Sequence, residues 1–152
     1  MRRLPPSRAC YISGLDPLVE SRSPFRILVV EDEPVIRELV RSMLDDGPVE
    51  VETTGNGADG LRRARESRFD LVLLDVVLPG MDGLTVCRML KADPATAPTP
   101  LYMLTAKTRR SDLEAALAAG ANGYIHKPFR GSELMELVER LRTGEGGAVG
   151  DS

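Results

Sequence analysis

Leu71-Val72-Leu73-Leu74-Asp75-Val76-Val77-Leu78-Pro79-Gly80-Met81-Asp82-Gly83 is the stretch that decides the fold. Leu71 to Leu74 is a blunt apolar run without polar alternation, the pattern of a strand covered on both faces. It stops on an acid, Asp75, and Pro79-Gly80 then turns the chain. Asp82 is placed to cap a helix carrying Leu84, Val86-Cys87 and Leu90-Lys91, which Pro94 ends. Strand, acid, turn and capped helix form one βα unit.

The same unit recurs on both sides. Upstream, Phe25 to Val30 is an apolar, β-branched run, followed by Glu31-Asp32 and by Pro34 in the first turn of a helix with Val35, Leu39, Val40 and Met43-Leu44. Gly47-Pro48 stops that helix; Val49 to Thr54 makes a shorter strand, and Ala58, Leu61 and Ala64-Arg65 a second helix. Downstream, Leu101 to Leu104 forms a strand ending on Thr105, and Ser111 or Asp112 opens or sits early in a helix of Leu113, Ala116-Leu117 and Ala119 closed by Gly120. Gly123 to His126 is a fifth strand ending on Lys127-Pro128, and a last helix begins at Ser132 and carries Leu134, Leu137-Val138 and Leu141. Strict alternation predicts an α/β doubly wound fold, a five-stranded parallel sheet with helices on both faces.

Composition limits the function. The chain has 152 residues, 42% hydrophobic and 28% charged, with a formal charge of −3, which fits one globular domain with trimmings and gives no basic footprint for nucleic acid. Cys10 and Cys87 are too few for a disulfide framework and His126 is the sole histidine, so a reducing, cytoplasmic setting without a zinc site is expected. No apolar run has the length of a membrane span. Residues 1–24, with Pro5, Pro6, Pro17 and Pro24, read as a flexible extension, 25–142 as the domain, and 143–152 as a disordered tail with no output module behind it. Cys87 is expected in the core, Arg62-Arg63-Arg65 on a solvated helix face, and Gly80 and Gly83 in turns. His126 alternates with Tyr124 and is expected half-buried, without a phosphohistidine role.

Open parallel sheets bind ligands beyond the carboxyl ends of their strands. There the first strand delivers Glu31-Asp32, the third Asp75, the fourth Thr105 and the fifth Lys127. Crowded carboxylates repel unless a cation joins them, and an all-oxygen set of so few acids suits Mg2+. With the cation bound the rim is close to neutral and can receive a phosphoryl group, with Asp75 as nucleophile and Lys127 and Thr105 paired with phosphoryl oxygens.

The segments VVEDEP, LLDVVLPGMDG, MLTA and YIHKPF, spread from about Phe25 to Arg142, resemble the receiver domain of two-component response regulators, the family of the chemotaxis response regulator. That resemblance implies the flavodoxin-like strand order 2-1-3-4-5, an example of the doubly wound class. It implies phosphorylation of Asp75 by a histidine kinase or histidine phosphotransfer protein, with Mg2+ on Asp32, Asp75 and the Val77 carbonyl and Glu31 acting largely through water. It further implies a Thr105–Tyr124 switch that alters the face of the fourth helix, fifth strand and fifth helix, and a downstream protein target. A homodimer on phosphorylation through the fourth and fifth helices is a further expectation, as is the absence of direct DNA binding. The resemblance also favours a cis Lys127–Pro128 bond. Glu31 departs mildly from the family pattern, where aspartate is frequent. Two other readings compete: a dehalogenase-like Mg2+-dependent phosphohydrolase, disfavoured because Val77 stands where that chemistry needs an acid, and a receiver-like adaptor that works without phosphorylation.

Overall fold

The computed structural model describes residues 24–45, 47–106 and 109–144. Residues 1–23 of the expected extension over 1–24, residues 145–152 of the expected tail over 143–152, and Cys10 with them lie outside the described residues. Ten elements alternate: β1 (Phe25–Val30), α1 (Pro34–Leu44), β2 (Val49–Thr54), α2 (Gly57–Glu66), β3 (Leu71–Asp75), α3 (Gly83–Ala92), β4 (Leu101–Thr105), α4 (Arg110–Ala118), β5 (Gly123–His126) and α5 (Gly131–Arg142). The sheet is five-stranded with order β2-β1-β3-β4-β5, and each adjacent pair is parallel. The expected α/β doubly wound, flavodoxin-like fold is thus present.

Period-two alternation along strands that are apolar on both faces divides the core in two. Leu28 and Val30 of β1, with Val72 and Leu74 of β3, face Leu61 of α2, Val86, Cys87 and Leu90 of α3, and Ala116 of α4. Ile27, Val29, Leu71 and Leu73 face the opposite way, against Val40 and Leu44 of α1 and Leu134, Leu137 and Val138 of α5. A fully buried leucine in such a layer contributes roughly 1.5–3 kcal/mol relative to exposure. Cys87 is fully buried, as expected, and burial pushes its thiol up to about 11. Arg62, Arg63 and Arg65 make ion pairs with Asp59, Glu66, Glu52 and Asp93, which accounts for the basic face.

α4 starts at Arg110 behind Arg109, so Ser111 and Asp112 sit early in the helix, as expected, and Asp112 pairs with Arg109 at 3.5 Å. Three other local expectations need correction. α5 starts at Gly131 rather than Ser132, because the Glu133 carboxylate reaches back to accept from the Arg130 amide at 3.0 Å. His126 is exposed, not half-buried: it ends β5, an edge strand, and its ring lies 5.4 Å from that of Tyr124. Gly80 does sit in a turn at φ +77, but Gly83 opens α3 and is buried. A Cβ on Gly83 would lie 2.0 Å from the main-chain oxygen of Asp75, so its role is close backbone approach.

Candidate functional site

Sheet registry brings the rim together. β1 and β3 run side by side with Val30 opposite Leu74, so the residues that follow, Glu31 and Asp75, emerge next to each other. β4 lies on the other side of β3, with Asp75 opposite Leu104, and the Val76 amide donates to the Leu104 carbonyl at 3.3 Å. Thr105 follows directly and is 3% exposed. β5 brings Lys127 one residue past its end, where its amide donates to the Thr105 carbonyl at 2.8 Å and its bond to Pro128 is cis.

One oxygen from each of the Glu31, Asp32 and Asp75 carboxylates lies within 4.8 Å of the others. The Lys127 ammonium stands among them, 2.7 Å from Glu31 Oε1 and 3.2 Å from Asp75 Oδ2. Asp75 Oδ1 accepts from the Val77 amide at 3.2 Å, and Glu31 Oε2 from the Glu33 amide at 3.1 Å. Glu31 is wholly buried and Asp75 nearly so, whereas Asp32 is exposed. The Val77 side chain is exposed, so no acid stands two residues beyond Asp75 to shuttle a proton as a phosphohydrolase would require.

The electrostatics show a cluster short of positive charge. Burial raises the pKa of Glu31 and the neighbouring Asp75 charge adds to the rise, against the lowering pull of Lys127 and the Glu33 amide. Burial alone would pull Lys127 down, but its hydrogen bond with Glu31 and the charge of Asp75 outweigh it and hold the ammonium up. Among the described residues three carboxylates gather round one amine, which lies 2.7 Å from the buried Glu31 Oε1. Spare oxygen lone pairs in a cleft with excess negative charge are the donor set a small hard divalent ion takes. The residues present therefore fit Mg2+.

Residues 27–139 match the response regulator receiver domain family. The chain belongs to that family. Its members are signalling domains of two-component systems, and Mg2+ and phosphoaspartate are general features of them. Among curated proteins, the chain is 45% identical over 121 residues to the DNA-binding response regulator MtrA of Mycolicibacterium smegmatis, covering 79% of this chain and 52% of that one. It is 38% identical over 116 residues to the transcriptional regulatory protein ResD of Bacillus subtilis, covering 76% of this chain and 47% of ResD. The chain thus spans about half the length of the curated relatives it matches. Among solved structures, the chemotaxis response regulator CheY4 of Vibrio cholerae superposes with a TM-score of 0.73 at 32% identity, over 78% of this chain and 99% of that one. The receiver domain of the Pseudomonas aeruginosa sensor histidine kinase PA1611, solved with magnesium in its active-site cleft, gives a TM-score of 0.72 at 34% identity, over 78% of this chain and 98% of that one.

Tyr124 lies on β5, half-buried against the α2–α3–α4 side of the core, while Thr105 ends the adjacent strand. Sequence reading missed three supports of the receiver rim. These are the double engagement of Lys127, the backbone role of Gly83, and Arg37, whose guanidinium donates to the carbonyls of Glu31 and Asp32. The only sequence signal for Gly83 was a glycine directly after a capping aspartate, and for Arg37 there was none. Among the described residues no helix is long and apolar enough to cross a membrane.

Proposed function

We propose that Asp75 accepts a phosphoryl group from the phosphohistidine of a histidine kinase or histidine phosphotransfer protein, with Mg2+ as cofactor. The observation that carries this reading is the meeting of three carboxylates with oxygens within 4.8 Å of one another, two of them paired with the Lys127 ammonium, and Asp75 addressed by both Lys127 and the Val77 amide. An Asp75 carboxylate oxygen attacks phosphorus, the phosphorus–nitrogen bond breaks, and its electron pair leaves on the imidazole, which takes a proton from solvent. Asp32, Asp75 and the Val77 carbonyl would hold Mg2+, with Glu31 acting largely through water, and the ion would supply charge neutralisation. Lys127 pairs with one phosphoryl oxygen and the Thr105 hydroxyl donates to another.

The acyl phosphate adds negative charge beside Thr105, and its hydroxyl moves toward that charge. Tyr124, half-buried on the next strand, then repacks, and the change reaches the face of α4, β5 and α5. Leu117 and Met135 are 44% and 55% exposed on those two helices, which suits the face to a protein partner. We assign the module to residues 25–142 and a downstream protein target, or a second copy, to that face. No direct DNA contact by the module is part of this reading.

Incubating the chain with acetyl phosphate and Mg2+ and measuring intact mass tests the reading. One added phosphate is expected, absent in Asp75→Asn and after chelation with EDTA. An unmodified wild type, or a phosphate that persists in Asp75→Asn, overturns it.

A further inference from the structure

Two of the three carboxylates in the rim are held directly by polar partners. Glu31 is fixed by Lys127 and the Glu33 amide, and Asp75 by Lys127 and the Val77 amide. Asp32 is held differently. Among the described residues no hydrogen bond or ion pair reaches its carboxylate, and the residue is exposed. Its place beside the other two acids therefore rests on its main chain. Arg37, on α1, grips that main chain: Nη1 donates to the Glu31 carbonyl at 2.8 Å and to the Asp32 carbonyl at 3.1 Å.

The guanidinium occupies space that a side chain would fill. A Cβ on Gly55, just past β2, would lie 2.5 Å from Arg37 Nη1 and 3.5 Å from the Cα of Asp32. The first distance is a clash and the second an ordinary contact. The clash is with the far end of a flexible side chain, so alanine at 55 would displace the guanidinium at little cost to the fold. The carbonyls would then lose their donor.

We infer that Arg37 is a positioning residue for Asp32, and that the glycine at 55 leaves room for it. Together they set Mg2+ affinity without touching the ion. The inference rests on the proposed Mg2+ site and names what tunes it. Partners that orient metal ligands typically change affinity by about 10–100-fold when lost. Here they act through a main chain, so a loss of about tenfold is expected.

Arg41 is the internal control. It also ties α1 to β2, donating to the Val51 carbonyl at 3.3 Å and to Thr53 Oγ1 at 3.1 Å, but it makes no contact with the acidic loop. Calorimetric titration of the full chain with MgCl2, supported by the amide shift of Asp32, should show about tenfold weaker binding in Gly55→Ala and in Arg37→Ala. Arg41→Ala should bind as the wild type does. In EDTA, the melting temperature of Gly55→Ala should stay within about 4 °C of wild type. If Arg37→Ala does not fold, Arg37→Met keeps most of the stem, has no donor for either carbonyl, and should show the same weakening. A wild type that binds no Mg2+ removes the cation site itself, and this inference with it. A wild type that binds, with Gly55→Ala and the Arg37 variant within twofold of it, overturns the inference alone. An equal loss in Arg41→Ala also overturns it, since general loosening of α1 would then suffice.

Discussion

Two groups of charges in this molecule are built to opposite ends. Around α2, Asp59 accepts from Thr54 Oγ1 at 2.7 Å and from Arg63 Nε at 2.8 Å, and pairs with Arg62; Glu52 takes Arg26 at 2.6 Å and Arg63 at 3.3 Å. Each acid there has more than one donor, and the Asp59 carboxyl is held down at about 2, chiefly by the Thr54 hydroxyl and Arg62. On the rim, among the described residues, Glu31 and Asp75 share one lysine beside Asp32, and Glu31 is pushed the other way. Well-supplied acids stabilise the fold. Undersupplied ones cost stability, and in the proposed function a cation and a phosphoryl group relieve them.

The largest effect should come from removing the Lys127 amine from the rim. Lys127→Met leaves the wholly buried Glu31 without its counterion, at a cost of about 3 kcal/mol near neutral pH. Glu31 can escape by taking a proton, so the penalty should shrink as pH falls. Because Glu31 has a raised folded pKa, the native state holds more protons than the unfolded chain above pH 4.5, and its stability contribution falls as pH rises through that window. Urea denaturation of Lys127→Met from pH 7 down to 5 measures it. A penalty independent of pH would break the contrast between the two clusters.

Gly83→Ala comes next. The added Cβ meets the Asp75 carbonyl at 2.0 Å, a backbone atom that cannot swing aside, and overpacking of this kind costs about 2 kcal/mol. Since it pushes on Asp75, the proposed nucleophile, acetyl phosphate labelling should fall along with the melting temperature. Normal labelling in a destabilised Gly83→Ala would show that Asp75 tolerates movement of its own main chain.

How much of this was legible beforehand divides by the kind of contact. Blunt apolar runs such as Leu71 to Leu74 revealed the strands, and strand ends such as Asp75 and Lys127 revealed the rim, because both follow from periodicity along the chain. Contacts between a side chain and a distant backbone have no period. Arg37 on the Glu31 and Asp32 carbonyls and Gly83 on the Asp75 carbonyl depend on how closely separate elements approach. His126 was misread for a related reason: alternation assigns a side to a residue but says nothing about whether that side is covered at the end of an edge strand.

The α2 cluster should respond to acid with the sign opposite to Glu31. A folded pKa of about 2 against an ordinary 3.8 means that Asp59 stabilises the protein above pH 3.8, and that this is lost as pH falls through about 2. Asp59 is partly exposed, so solvent screening reduces the effect to about 1 kcal/mol. Asp59→Asn should therefore be less stable at pH 6 and converge on wild type near pH 2. Parallel curves would mean that the arginines, rather than the titrating carboxyl, carry the cluster.

The smallest effects sharpen the comparison most, because two helix caps allow it to be made at matched cost. Asn56 caps α2 by accepting from the Asp59 amide at 2.9 Å, and Asp82 caps α3 by accepting from the Thr85 amide at 2.9 Å. Both are exposed aspartate-class caps, and alanine at either position should cost about 1 kcal/mol or somewhat less. Their neighbours differ. Asp82 precedes Gly83, whose amide donates to the Val76 carbonyl at 2.9 Å and which packs on the Asp75 carbonyl, so a frayed α3 start loosens the loop that follows the proposed phosphoacceptor. Asn56 opens the helix that carries the well-supplied acid cluster. Asp82→Ala should slow labelling by acetyl phosphate severalfold, while Asn56→Ala, at equal loss of melting temperature, should label at the wild-type rate. Equal labelling in both would mean that the rim is insulated from the helix that begins beside it, and that the division between a stabilising and a functional charge cluster stops at the side chains themselves.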